Sequence, residues 1–338
     1  PVHALSYSSY PSTYILTGSS DRTIRLYNPS RTMEVPSYRA NSQATKCSSV
    51  GHLIQSYSAH GYEVLSLSVA PDNGSFASAG GDRIVFLWDV ATAVTTRRFG
   101  GNKGHTARIN TVTFAGEAAS LLISGSFDAS VRIWDVKSRS MVPIMVLTEA
   151  CDSISSVLAS DEIIWTGSVD GRIRQYDVRM GRILSDVIGA PVTCLSKTAD
   201  NKAILVGGLD SQIRLMDNST GGLLKKYRAA VWKNEEFRLR SCFGAREKWV
   251  LCGNEQVTGT TGEVAVWDTL SGDLVDRIQV SGGAVAAEGK KKIGHDGQEK
   301  TKKNVISCVT WKNSGRGKEW CCGGTDGIVT VFGEEGTQ

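Results

Sequence analysis

Ser, His and Asp recur together along this chain, and gathered into one exposed cluster they would support nucleophilic catalysis. They do not gather. The three types return with successive copies of a repeat in company with Trp, as groups of a buried framework do, rather than converging on one reactive constellation. Cys321-Cys322 is the only close cysteine pair, but neighbours on a strand face opposite ways and no C-x-x-C is present to complete a zinc set. Gly100-Gly101-Asn102-Lys103-Gly104 has the composition of a phosphate loop without the Gly-Lys-Ser/Thr ending or the helix that follows it. Asn73-Gly74-Ser75 and Asn218-Ser219-Thr220 match the glycosylation sequon and read as turns. No catalytic group, cofactor or metal set is expected, and the chain is read as not an enzyme.

The spacing that does organise the chain is an aspartate followed six residues later by a bulky side chain and then a polar residue or Gly. It starts at Asp21, Asp82, Asp128, Asp170, Asp210 and Asp326, and it ends at Tyr27-Asn28, Trp88-Asp89, Trp134-Asp135, Tyr176-Asp177, Met216-Asp217 and Phe332-Gly333. A seventh copy ends at Trp267-Asp268, with Thr261 in place of the aspartate. Recurrence at roughly 40 to 65 residues marks one supersecondary unit copied seven times, each burying its apolar faces only against its neighbours.

Between Asp and the bulky residue the chain alternates, as in Val131-Arg132-Ile133 and Ile213-Arg214-Leu215, the period of two that β-branched strands show. Upstream lies a second apolar run closing on small residues, such as Leu121-Leu122-Ile123-Ser124-Gly125-Ser126, so Gly and Asp fall at the connecting hairpin. A third run precedes that one, as in Ile109-Asn110-Thr111-Val112-Thr113-Phe114. The pattern predicts an all-β chain: a seven-bladed β-propeller of four-stranded antiparallel blades, with the last blade left open to being incomplete. Residues 1–338 are expected to form one such domain, with surface insertions at about 30–52, 256–261 and 282–303, which are poor in large apolar residues. Pro1 to Tyr7 aligns with the first strand of a blade, and the polar tail after Phe332 is a poor closing strand, so residues upstream of Pro1 are expected to have supplied one.

A net charge of +4 and a pI near 8.6 fall short of the concentrated positive field of a dedicated nucleic-acid binder. The eight cysteines form no framework pattern and no apolar run approaches the roughly 20 residues of a membrane span, so reducing, intracellular surroundings and no membrane partner are expected. Lys290-Lys291-Lys292, with Lys300, Lys302 and Lys303, is the one concentration of charge. It reads as a solvated loop, with RNA contact through Lys290, Lys291 and Lys292 or nuclear import as the alternative; the lack of interleaved aromatics argues against RNA.

These repeats resemble the WD-repeat β-propellers. In that family a buried tetrad joins a His before the first strand, a Ser or Thr on the second, the turn Asp and the Trp of the third. The resemblance places such sets at His60, Ser78, Asp82 and Trp88 and at His105, Ser124, Asp128 and Trp134. Elsewhere the set is broken, with Val206, Cys252 and Cys322 at the hydroxyl position of the last three copies, and those blades are expected to lean on apolar packing. On one rim of such propellers, the residue before the turn Asp and the start of each first strand face the channel mouth. That gives Phe127, Val169 and Leu209 in successive blades, flanked by Glu63, Arg108 and Phe237, as a candidate partner site.

Gly61-Tyr62-Glu63-Val64-Leu65, Leu87-Trp88-Asp89-Val90 and the run Gly167 to Gly181 look like the mitogen-activated protein kinase organizer branch of the family. What that resemblance implies is a non-catalytic scaffold of nucleus and cytoplasm, linked both to spliceosomal complexes and to kinase-cascade assembly. Splicing factors are the expected partners, since the basic loop suits ribonucleoprotein surroundings, and components of a mitogen-activated protein kinase cascade are the alternative. A third reading, substrate receptor of a cullin-type ubiquitin ligase, rests on Tyr176-Asp177-Val178-Arg179, which resembles the short Trp/Tyr-Asp-x-Arg motif of such receptors.

Overall fold

The structure, a computed structural model, describes residues 1–34, 49–160, 163–256, 261–280, 292–293, 299–300, 304–312 and 319–333. Seven antiparallel meanders follow one another along the chain. Blade one pairs Val2–Tyr7, Ile15–Ser19, Ile24–Glu34 and Ser49–Tyr57 in that order, and blade two pairs Val64–Val69, Ser75–Gly80, Val85–Asp89 and Thr95–Phe99. Blades three to six repeat the four-stranded order from first strands at Ile109–Ala115, Ile154–Ser160, Val192–Lys197 and Ser241–Gly244. Blade seven has three strands, Ile306–Trp311, Trp320–Gly324 and Val329–Phe332, among the described residues.

Apolar burial follows the seams and not the blades. Leu16, Ile24 and Tyr57 of blade one pack with Val64, Phe76 and Trp88 of blade two, and Ala77, Val85 and Phe99 of blade two pack with Ile109, Leu122 and Trp134 of blade three. The same holds around the ring to Val2, Leu5, Tyr7 and Ile15 of blade one, which pack with Cys308 and Cys321 of blade seven. Sheets alternating inward and outward would leave one face wet; here second strands such as Ala203–Gly208 are buried throughout because a neighbouring sheet covers each face.

Near the start of the first strand the ladder slips by one residue, at His3, Leu65, Asn110, Ser155, Thr193 and Ser307. Such bulges re-aim side chains, here at the ring of strand starts around the central channel. The insertion expected over 30–52 differs at its flanks, where the third strand continues to Glu34 and the fourth begins at Ser49, pairing Glu34 with Ser49; residues 35–48 lie outside the described residues. In the third insertion Lys292–Ile293 pairs with Glu299–Lys300, while Lys290, Lys291, Lys302 and Lys303 lie outside the described residues, as do 257–260 of the second.

Close approach of backbones at these strand starts admits no side chain. A Cβ on Gly80, which stands opposite Val64, would lie 1.9 Å from the Glu63 carbonyl oxygen. Gly80→Ala is therefore expected to cost about 3 kcal/mol, the upper range for overpacking, read as a lowered urea midpoint.

Candidate functional site

Six of the seven blades turn between their second and third strands on an aspartate, and blade six has Thr261 at that position. Asp21, Asp128, Asp170 and Asp326 each accept the backbone N–H two residues on, at 3.0 to 3.1 Å. The residue between adopts a left-handed conformation, with φ of 69° at Arg22, 60° at Ala129 and 75° at Gly171. A short side chain that bonds its own turn is what makes that geometry tolerable for a non-glycine neighbour.

In blade two the His60 ring bridges Asp82 at 2.5 Å and the Ser78 hydroxyl at 2.7 Å, and the Trp88 indole N–H donates to the same hydroxyl at 2.7 Å. Blade three repeats the set, with His105 to Asp128 at 3.0 Å, His105 to Ser124 at 2.8 Å and Trp134 to Ser124 at 2.8 Å. Both rings are fully covered. A reactive hydroxyl would need access, and Ser78 and Ser124 have none.

Blades without the imidazole lean on apolar packing where the hydroxyl is lost, Val206, Cys252 and Cys322 each lying in a buried seam cluster, and three blades still give the turn carboxylate a charged partner in place of the imidazole. Arginine takes its place: Arg25 pairs with Asp21 at 2.7 Å, Arg174 with Asp170 at 2.6 Å, and Arg214 pairs with Asp210. The spacing is Asp-x-x-x-Arg, with the carboxylate in the turn and the arginine on the third strand. Blade six is built differently, with Glu263 held by Arg277 at 2.7 Å from the fourth strand and by Asn254 at 2.7 Å. In blade seven Asn304 donates to Asp326 at 3.0 Å. A buried carboxylate costs several kcal/mol unless satisfied, so each blade supplies a donor.

Burial works to raise the Asp170 carboxyl, but the hydrogen bonds from Arg174 and Ser168 prevail and hold it down at about 2. Asp82 and Asp128 are likewise held low against burial, chiefly by the hydrogen bonds from His60 and His105. At Trp267 the arrangement fails. Cys252 occupies the register position of Ser124, and the buried Trp267 indole N–H has no partner among the described residues.

On the rim, Phe127 is 53 % exposed, Val169 37 % and Phe237 40 %, while Leu209 is half-buried. The three turn residues are fixed alike, their N–H groups donating to the carbonyls of Arg108, Ser153 and Pro191 at 2.9 to 3.0 Å. The exposed Arg108 guanidinium stands 5.0 Å from the Phe127 ring centre, so that pair is brought together. Half-buried Glu63 stands apart from it, 3.9 Å from His3. Phe237 is presented by a segment that sequence reasoning left unexplained, in which Glu255 accepts the N–H groups of Glu235, Glu236 and Phe237 at 2.6 to 3.1 Å. The motif Tyr176-Asp177-Val178-Arg179 is part of the repeat: Asp177 accepts the Met180 N–H at 2.8 Å, as Asp135 does from Lys137 and Asp268 from Ser271.

The profile of the WD domain, G-beta repeat, matches residues 1–28, 51–89 and 96–135. The chain is 42 % identical over 272 residues to WD repeat domain-containing protein 83 of Homo sapiens and 41 % identical to that of Rattus norvegicus, covering in each case 80 % of this chain and 77 % of the relative. A homolog of the same protein in Dictyostelium discoideum is 28 % identical over 293 residues, 78 % of this chain and 81 % of the relative.

Two substitutions test the buried sets. Cys252→Ser gives Trp267 an acceptor and is expected to stabilise the protein by about 1 kcal/mol, measured as a raised urea midpoint. Asp170→Asn strands Arg174 and is expected to cost about 3 kcal/mol at neutral pH. Because the folded pKa lies below the unfolded value of about 3.9, the carboxylate's contribution is complete above that value and fades as pH falls towards the folded one, so parent and variant stabilities should converge near pH 2.

Proposed function

The chain belongs to the family of WD repeat domain-containing protein 83, and from that premise we propose that it is a non-catalytic scaffold on which the components of a mitogen-activated protein kinase cascade assemble. WD-repeat propellers act as protein-interaction scaffolds, and the rim offers a surface for that role. The observation that carries the reading is the row of Phe127, Val169 and Leu209, presented at one turn position of three consecutive blades, with Arg108 over Phe127 and the Phe237 segment held by Glu255. Large apolar side chains on a rigid backbone lose little entropy on docking, which is why such anchors dominate interface energies.

The kinase setting rests on the resemblance to the organizer branch. Splicing machinery, the other setting of that branch, rested on the basic loop, most of which lies outside the described residues. The ligase motif is accounted for by turn chemistry, Asp177 serving the same local purpose as its counterparts in other blades.

Phe127→Asp with Leu209→Asp is expected to remove partner binding while leaving the melting temperature within about 2 °C, as surface changes do. Affinity purification of the tagged full chain with mass spectrometry reads both points. Kinases captured by the parent and lost from the variant support the proposal; splicing factors or ligase subunits in their place would refute the kinase setting, and unchanged capture by the variant would refute the rim.

A further inference from the structure

The central channel holds two arginines that the rim and the buried sets do not use. Arg238 and Arg240 flank the fully buried Leu239 at the entrance to the first strand of blade six. Their side chains cross the bore. Arg240 Nη2 donates to the Leu65 carbonyl of blade two at 2.9 Å, and Arg238 donates from Nη1 to Asn110 of blade three at 2.9 Å and from Nε to Thr193 of blade five at 3.3 Å. A guanidinium carries five N–H groups. Arg238 thus commits two nitrogens and Arg240 one, all to carbonyls, and neither pairs with a carboxylate among the described residues.

That is an unusual expense for a structural brace. Both side chains are half-buried, and two like charges so placed repel and are incompletely solvated, so such cations are ordinarily paired. Burial, with the Arg240 charge adding to it, pushes the Arg238 guanidinium down to about 9, and burial lowers Arg240 as well. The carboxylate at the mouth, Glu63, lies towards His3 and is 41 % exposed, while the further charge near Arg238 is the cation Arg108.

Both guanidiniums line a cavity of about 360 Å³ enclosed by the first strands of all seven blades. Its wall carries hydroxyls with protons to give. Ser66, Ser68 and Ser156 each accept a backbone N–H from a neighbouring blade, at Val112, Phe114 and Leu195, and none donates its own proton among the described residues. Cations without a carboxylate partner and wall hydroxyls that still hold a proton to donate, with no acidic side chain lining the same cavity, match a tetrahedral dianion.

We propose that the central channel is a binding site for a phosphate group, held between the Arg238 and Arg240 guanidiniums and the serine hydroxyls of blades two and four. The group arrives either as a free phosphate or on a phosphorylated side chain reaching in from the rim, and the chemistry of capture is the same.

The test titrates the full chain calorimetrically with sodium phosphate, and separately with a short phosphoserine peptide beside its unphosphorylated twin, against sodium chloride at matched ionic strength. Binding of either phosphate probe that weakens by about tenfold or more in the Arg238→Gln, Arg240→Gln double variant supports the site, and the probe that binds identifies the source. Absence of binding by the unmutated chain, or binding that survives the double variant, overturns it. Should the double variant lose its circular dichroism spectrum, the Nε–Hε NMR signals of the two arginines in the unmutated chain decide: saturable shifts with either probe support the site, and unmoved signals overturn it.

Discussion

No blade of this molecule owns an interior. A four-stranded twisted sheet has two faces to cover, and in every case described the cover is the adjoining sheet, so Trp134 of blade three is buried against Val85 and Phe99 of blade two. Removing one unit would strip apolar surface from two others, and the ring is closed where Ser307 of blade seven donates to the Val2 carbonyl of blade one at 3.0 Å. Stability is thereby a property of the circle, and a platform with that property presents its rim with little freedom to deform.

Apolar seams hold sheets together without fixing how they slide, and direction enters through the turn carboxylates. Each is satisfied by geometry that only one register permits, whether the partner is His60, Arg174 or Asn304. The variety has a simple cause. An imidazole bridges carboxylate and hydroxyl, as between Asp82 and Ser78, whereas the Arg174 guanidinium, four residues past Asp170, reaches both that carboxylate and the Ser168 hydroxyl from within its own blade and releases the His position for other residues.

Much of the fold was legible because its signals are local. Alternation in Val131-Arg132-Ile133 and the Asp at a fixed distance from Trp134 are features that a single strand and turn must possess. Partners supplied from elsewhere were harder to see. Arg277 reaches Glu263 from the outermost strand of blade six, and a Thr at the usual Asp position disguised that blade's set. The Asp-x-x-x-Arg spacing does not by itself mark a pair, since Arg132 stands at the same distance from Asp128 and donates instead to the Lys103 carbonyl. Arg238 and Arg240 were passed over because they precede the first strand of blade six, and alternation alone cannot say that a charged residue crosses the bore. The rim residues were readable as positions, while the carboxylate of Glu255 that holds Phe237 in place comes from a separate turn.

Dependence of each blade on its neighbours is the claim from which the rigid scaffold follows, and hydrogen exchange tests it most directly. Amide protection would be compared between the parent chain and Trp134→Ala, a truncation expected to cost about 3 to 5 kcal/mol at the seam of blades two and three. The account predicts that Ser75–Gly80 of blade two loses protection together with Leu121–Ser126 of blade three. Loss confined to blade three, with blade two as slow as before, would contradict it.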